Sequence, residues 1–296
     1  MSFTDRFVPG TRTWIMGIVN VTPDSFSQDG ILDGAATAAR AVAQAAAFLD
    51  AGADILDIGG ESTRPGAVSI GAAEEAARVL PTIRAIKTRF PDSIVSVDTY
   101  RAAVAEQALQ AGAEIVNDVW AMQADADMAP LVAARGAHVV LMHNRSWAGA
   151  VMLDPRLGGQ YRGAEYGNVV EDVAADLTKR VDAALDAGIA RERILLDPGI
   201  GFGKTVPQNL ALLNHLDRLA ALGYPLLVGT SRKSFIGQLL DTPVEERLEG
   251  TAATVALAIA RGASIVRVHD VAAMARVARM TDAIVHASAT AGDGRS

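Results

Sequence analysis

Arg267 and His269 stand two residues apart where an apolar run, Ile265 to Val268, comes to its end. Residues i and i+2 of a strand point to the same side, so the cation and the imidazole share one face. Such a pair is suited to clamping a diphosphate. The plainer alternative is an arginine–carboxylate pair beside a satisfied histidine, since charges are rarely buried alone. Ser231-Arg232-Lys233-Ser234 follows a second run, Leu226 to Val228, and opens a helical stretch. Two cations, two hydroxyls and the N–H groups of a helix start make an anion site. An ordinary serine cap with solvated cations would give the same letters. Asp98, Asn117 and Asp197 close three further runs. Any one of them alone reads as a helix cap. Together, two carboxylates and an amide suit a flat heterocycle with an N–C(=NH₂)–N edge, such as a pterin, because a carboxylate accepts two parallel hydrogen bonds from a guanidine-like group.

These residues need a scaffold that brings strand ends together. Eight apolar runs precede polar endings: Trp14 to Val19, Ile55 to Ile58, Ile94 to Val97, Ile115-Val116, Val139 to Met142, Ile194 to Leu196, Leu226 to Val228 and Ile265 to Val268. Alanine-rich helical stretches lie between them, among them 35–51, 74–89, 101–110 and 248–261. Glycines at 52, 112, 136, 223 and 262 each fall between a helical stretch and the next run, where a left-handed residue ends the helix. Strand–helix alternation with near-continuous apolar strands demands a parallel sheet. A doubly wound open sheet would fit the alternation but gathers its site at one switch point. Chemistry at all eight strand ends predicts a single (β/α)₈ barrel, α/β in class, with its active site at the C-terminal ends of the strands. The barrel domain is expected over 1–288, with a disordered tail at 289–296. Residues 145–167, rich in glycine and without a clean period, are expected to form a long loop, either a lid or a surface excursion.

Composition narrows the classes. The chain has 296 residues, half of them hydrophobic, and a net charge of −7. No basic face stands out for nucleic acid, although a few placed cations still allow an anionic small molecule. With no cysteine there is no disulfide, thiolate zinc site or thiol nucleophile, which fits a reducing cytoplasm. No run approaches 18 apolar residues, and Asp5 and Arg6 interrupt the start, so neither a membrane span nor a signal peptide is expected.

Two motifs fail on inspection. Gly203-Lys204-Thr205 resembles the end of a phosphate-binding loop, but the glycine it requires upstream falls on Pro198. The segment 199–203 is GxGxG and not the dinucleotide fingerprint. His138 and His143 are five apart on one strand, hence on opposite sides, and cannot share a metal. A divalent ion would have to be Mg²⁺-like, held by one or two protein oxygens and substrate phosphate. The segments 20–30 and 59–71 are either mobile loops over the barrel mouth or plain connectors.

In order along the chain, Met16 to Ser27, Gly59 to Gly66, Val97-Asp98-Thr99, Asn117-Asp118, Leu141-Met142-His143, Asp197 to Lys204, Gly229 to Ser234 and Arg267 to Asp270 closely resemble the dihydropteroate synthase family. The resemblance spans about residue 14 to residue 286. It implies condensation of a 6-hydroxymethyl-dihydropterin diphosphate with 4-aminobenzoate in folate biosynthesis, by a cytoplasmic homodimer that is a sulfonamide target. It also implies site roles. Asp98, Asn117, Asp197, Lys233 and Thr63 would hold the pterin. Asn20, Arg267 and His269 would hold diphosphate, with Asn20 also on Mg²⁺. Arg64, Pro65, Phe202 and Ser234 would form the aminobenzoate pocket, and Asp98, Lys233, Arg267 and His269 would carry the catalysis. One departure is the order Gln28-Asp29-Gly30, where the family usually reads Asp-Gly-Gly. A corrinoid-dependent pterin methyltransferase domain shares the pterin-side acids but has no use for a diphosphate clamp. A catalytically silent pterin-binding paralogue is the third reading, because a fold does not guarantee activity.

Overall fold

Strands that are apolar on both faces must be covered on both, and closing the sheet on itself covers one of them. A computed structural model describes residues 3–22, 34–61, 69–146, 151–154, 158–161 and 163–287. The eight runs form β1 (Trp14–Asn20), β2 (Ile55–Gly59), β3 (Ile94–Asp98), β4 (Ile115–Asp118), β5 (His138–Met142), β8 (Ile194–Asp197), β9 (Leu226–Val228) and β10 (Ala263–Val268). They pair in parallel in that order, and β10 returns to β1 to close the barrel. Around it lie α2 (Gly34–Asp50), α3 (Ala72–Arg89), α4 (Ala102–Gln110), α5 (Met128–Arg135), α6 (Val169–Asp186), α7 (Val206–Asn214), α8 (Leu216–Ala220), α9 (Ser234–Leu240), α10 (Leu248–Ala260) and α11 (Val271–Val285). The fold is a (β/α)₈ barrel, and an open doubly wound sheet is excluded.

Alternate strand residues divide the core in two. Met16, Ile55, Ile94, Ile115, Val140, Leu195, Leu227 and Ile265 form one buried cluster inside the barrel. The residues between them, such as Leu56, Val95, Val116, Leu141 and Val266, join a larger cluster with the helices. The period of two therefore aims Asp57, Asp98, Asn117, Asp197, Arg267 and His269 inward, above that apolar layer. The short α1 (Phe3–Arg6) underlies the barrel, with Phe3 packed edge-on against Trp14 and His138. All five predicted helix-ending glycines have positive φ, as does Gly188, which the sequence pattern did not single out.

The stretch 145–167 holds more order than its composition predicts. It contains an antiparallel hairpin, β6 (Val151–Asp154) with β7 (Gly158–Tyr161), separate from the barrel sheet. Asp29, Thr63, Arg64, Pro65 and the tail 289–296 lie outside the described residues.

Candidate active site

The barrel mouth is organised around one guanidinium. Arg267 Nε donates to Asp57 Oδ2 at 2.7 Å, and its Nη2 donates to Asp98 Oδ2 at 2.7 Å. Asn117 Nδ2 reaches the same Asp57 oxygen at 3.1 Å. Strands β2, β3, β4 and β10 are thus joined through side chains. Arg267 Nη1 makes no hydrogen bond among the described residues, which leaves part of the fork for a further acceptor. The alternative weighed for Arg267, a carboxylate pair, is realised, and it coexists with an available donor edge. Burial raises the Asp98 carboxyl to about 7, and neighbouring Asp57 adds to this while Arg267 opposes it. Asp57 was missing from the predicted site. Its signal was available, since it is the one charge within a strand buried at every position.

Asp197 and Lys233 form the opposite side. Asp197 Oδ1 accepts from Gly199 N at 2.7 Å, and burial raises its carboxyl above the usual range while Lys233, the Gly199 N–H and Arg267 oppose the rise. Burial lowers the Lys233 ammonium to about 8, with Asp197 pulling it back. Lys233 donates to the Ile200 carbonyl, and its Nζ lies 4.6 Å from the centre of the Phe202 ring. Gly201 has φ of 86°, and a Cβ there would come within 2.9 Å of Lys233 Cδ. Only a glycine lets this loop approach the lysine so closely.

The loop after β9 departs from its predicted role in one respect. Arg232 is not an available cation, because Nε and Nη2 form a fork on Asp270 at 2.9 and 2.5 Å. Its backbone is left-handed at φ 58°, a costly conformation for a residue with a Cβ. Three contacts hold it there: Thr251 Oγ1 accepts from Arg232 N, Arg247 Nη1 donates to Arg232 O, and Asp270 holds the side chain. Lys233 occupies the N-cap position of α9 without a side-chain cap bond, and Ser234 is the helix's first residue. His269 Nδ1 lies 3.0 Å from Ser231 Oγ, which also accepts from His269 N.

Asn20 ends β1 beside Gly59 of β2. A Cβ on Gly59 would make ordinary contacts with Asp98 Cβ at 3.5 Å and Asn20 Oδ1 at 3.6 Å, so the side chains of Asn20 and Asp98 flank this position. In the loop after β3, Arg101 pairs with Glu61 and with Glu75 and donates to Ile70 O at 2.6 Å. This bridge between the segment after β2, α3 and the loop after β3 was not predicted, because its partners are 26 to 40 residues away.

Acids, an amide, a lysine and an arginine around the mouth of a barrel suit a small polar substrate, and a family model described as pterin binding enzyme matches residues 16–269, which gives the class. A dihydropteroate synthase from Clostridium beijerinckii is 50% identical over 281 residues, covering 95% of this chain and 97% of the relative. The solved structure of a Clostridium difficile dihydropteroate synthase in the presence of pteroic acid is 44% identical, with a TM-score of 0.85 over 94% of this chain and 98% of that one. A Xanthomonas albilineans dihydropteroate synthase in complex with 7,8-dihydropteroate is 39% identical, with a TM-score of 0.81 over 94% and 95%. The chain belongs to the dihydropteroate synthase family.

Proposed function

We propose that the barrel mouth joins 6-hydroxymethyl-7,8-dihydropterin diphosphate to 4-aminobenzoate, giving 7,8-dihydropteroate and diphosphate, with roles allotted as follows. The carboxylates of Asp98 and Asp197 and the amide of Asn117 bind the donor edge of the pterin, and Lys233 covers its acceptor side. Arg267 and His269 take the diphosphate. Phe202 and Ser234, with Arg64 and Pro65 of the segment Gly59 to Gly66, receive the aminobenzoate, and Thr63 adds to the pterin side. The observation that carries this reading is the linkage of Asp57, Asp98, Asn117 and Arg267 into one hydrogen-bonded set with Asp197 and Lys233 as electrostatic neighbours.

The chemistry follows from charge. The methylene–oxygen bond breaks with its electron pair going to the diphosphate, and cations placed where that charge develops lower the barrier. The amine lone pair then forms the new carbon–nitrogen bond, and the amine gives up a proton. No covalent nucleophile is needed.

Mg²⁺ is proposed on Asn20. Among the described residues no three His, Cys, Asp or Glu side chains form a metal cage; the proposed ion would be held by one or two protein oxygens and substrate phosphate. Asn20, at the end of β1 beside Gly59, offers a hard amide oxygen for it. When bound, the ion adds positive charge beside the leaving diphosphate.

The test is product formation. The protein, both substrates and Mg²⁺ are expected to give dihydropteroate and one equivalent of diphosphate, and a sulfonamide is expected to compete with aminobenzoate and not with the pterin. Pterin binding without turnover would favour a silent paralogue.

We also place the enzyme in the cytoplasm as a homodimer. The absence of cysteine suits a reducing compartment, and among the described residues no helix is long and apolar enough to cross a membrane. For the dimer, α10 carries no charge from Gly250 to Ala260, although Leu257 is 39% exposed. On α11, which packs against it, Met280 and Ile284 are each 63% exposed and share one face at i and i+4. A helix apolar all round belongs in an interior, and a second copy would supply one. Met280→Glu combined with Ile284→Glu places four charges in a two-fold interface. Light scattering is expected to show a dimer for the unchanged chain and a monomer for this variant. A monomeric unchanged chain, or a variant that stays dimeric, would remove the proposal.

A further inference from the structure

We propose that Lys204 is a positioning residue of this site, whose buried ammonium holds the loop after β8 in the shape that presents the Ile200 carbonyl, Gly201 and Phe202 to Lys233. The inference rests on the site reading above and assigns a function to a residue that the chemistry does not otherwise use.

Lys204 is 4% exposed, although lysine is seldom buried without compensation. Its side chain turns back beneath the loop. Nζ donates to Gly199 O at 2.8 Å and to Phe202 O at 3.0 Å, and lies 3.1 Å from His143 Nδ1. Three acceptors meet the three donors of one ammonium. The same loop is pressed on the segment after β5, since a Cβ on Gly199 would lie 1.9 Å from His143 O and one on Gly203 2.8 Å from Ser146 N. Gly199, Gly201 and Gly203 all have positive φ, so the loop has little stiffness of its own. Its shape depends on what ties its carbonyls, and Lys204 ties two of them.

The contacts require the charged form. A neutral amine has two N–H groups and a lone pair, which would face one of the three acceptors. With Lys204 charged, His143 Nδ1 is the acceptor and the ring proton sits on Nε2, assigned from this network. That nitrogen is 3.4 Å from Asp176 Oδ2 without an aligned hydrogen bond. Burial and Lys204 both hold His143 neutral by lowering it strongly. The groups facing Lys204 are Asp197 on β8, which favours its proton, and Lys233 after β9 and Arg145 after β5, which oppose it. Burial dominates and lowers the ammonium to about 7. Because the folded value lies below the unfolded one, the stability cost of burying this charge is greatest below pH 7 and is relieved as pH rises. Site geometry goes the other way, since the loop loses a tie when the proton leaves.

The absence of any other cysteine allows a chemical test. Lys204→Met and Lys204→Cys are prepared, and the cysteine is alkylated in denaturant and refolded, once with an aminoethyl group and once with a neutral propyl group. Lys204→Met is expected to keep a cooperative melt while KM for aminobenzoate rises about tenfold, the order of one lost charge-assisted bond, with kcat changing less. Aminoethylation is expected to restore most of that KM and propylation is not. The thioether makes the new ammonium less basic than lysine, so the alkaline limb of 1/KM should move to lower pH. Equal rescue by both alkyl groups would show that only volume matters and overturn the proposal. So would an unchanged KM in folded Lys204→Met. If neither that variant nor the aminoethylated protein refolds, Lys204 is a folding element and the proposal fails. Lack of turnover by the unchanged enzyme would instead count against the site reading.

Discussion

Arg267→Ala is expected to abolish useful binding of the pterin diphosphate while leaving bare 6-hydroxymethylpterin weakened far less. Only the first ligand carries the anion that the guanidinium would meet. The loss should be about 3 kcal/mol, above a hundredfold in affinity, as for a charged hydrogen bond withdrawn from a buried site. The substitution should also cost stability. Arg267 lies between Asp57, whose side chain is fully buried, and Asp98, whose side chain is 11% exposed. Removing one partner of a buried ion pair typically costs about 3–5 kcal/mol, because the remaining charge is uncompensated. The pH dependence has a definite sign. Asp98 is raised from 3.8 to about 7 even with Arg267 opposing the rise, and without it the rise is larger. A carboxyl raised on folding contributes stability at low pH that is lost as pH climbs through the folded value. The variant's deficit should therefore be greatest well above pH 7 and shrink as pH falls to 7, below which both folded proteins hold the Asp98 proton and the difference is flat. Calorimetry with both ligands and urea titrations at several pH values check this. Equal losses for the two ligands would make Arg267 structural only, and a deficit independent of pH would mean that the acids are not what it neutralises.

The architecture was readable because the physics that shapes a parallel barrel also shapes its sequence. Strands buried on both faces give unbroken apolar runs, and Gly52, Gly112, Gly136, Gly223 and Gly262 mark where each helix must stop before the next strand. Asp98, Asn117 and Asp197 were readable for the same reason, as polar residues at strand ends. What stayed hidden depends on pairing across the chain. Arg267 meets Asp57 across 210 residues, and nothing local to Asp57 says which strand will face it. Arg232 looked like one of two anion-binding cations until the fold set it against Asp270. Lys204 looked like the end of a failed nucleotide motif, since only the folded loop shows its side chain running beneath Gly199 and Phe202. The hairpin of β6 and β7 was missed because two four-residue strands, Val-Met-Leu-Asp and Gly-Gly-Gln-Tyr, are too short and too unlike each other to show an apolar alternation.

Asp197→Asn should reduce pterin affinity by about 1.5–3 kcal/mol, roughly ten- to a hundredfold, with the fold intact. The amide keeps the shape, and its oxygen can still accept from Gly199 N, as Asp197 Oδ1 does at 2.7 Å. That choice turns the NH₂ towards Lys233 and the donor edge of the pterin, setting donor against donor where a carboxylate offered a second acceptor. The charge matters beyond the ligand. Asp197 is the largest influence that raises Lys233 and Lys204 against burial, which lowers them to about 8 and about 7. Without it both ammonium groups become less basic, so in the variant the alkaline loss of kcat/KM should begin at lower pH. A role confined to loop shape would leave that limb in place, because asparagine preserves the Gly199 contact. Titration calorimetry with pterin and a pH series of kcat/KM separate the two accounts. Unchanged pterin affinity in a folded variant would remove Asp197 from the pterin site. Weakened affinity with an unmoved alkaline limb would keep it there but show that its charge is not what holds the two lysines protonated.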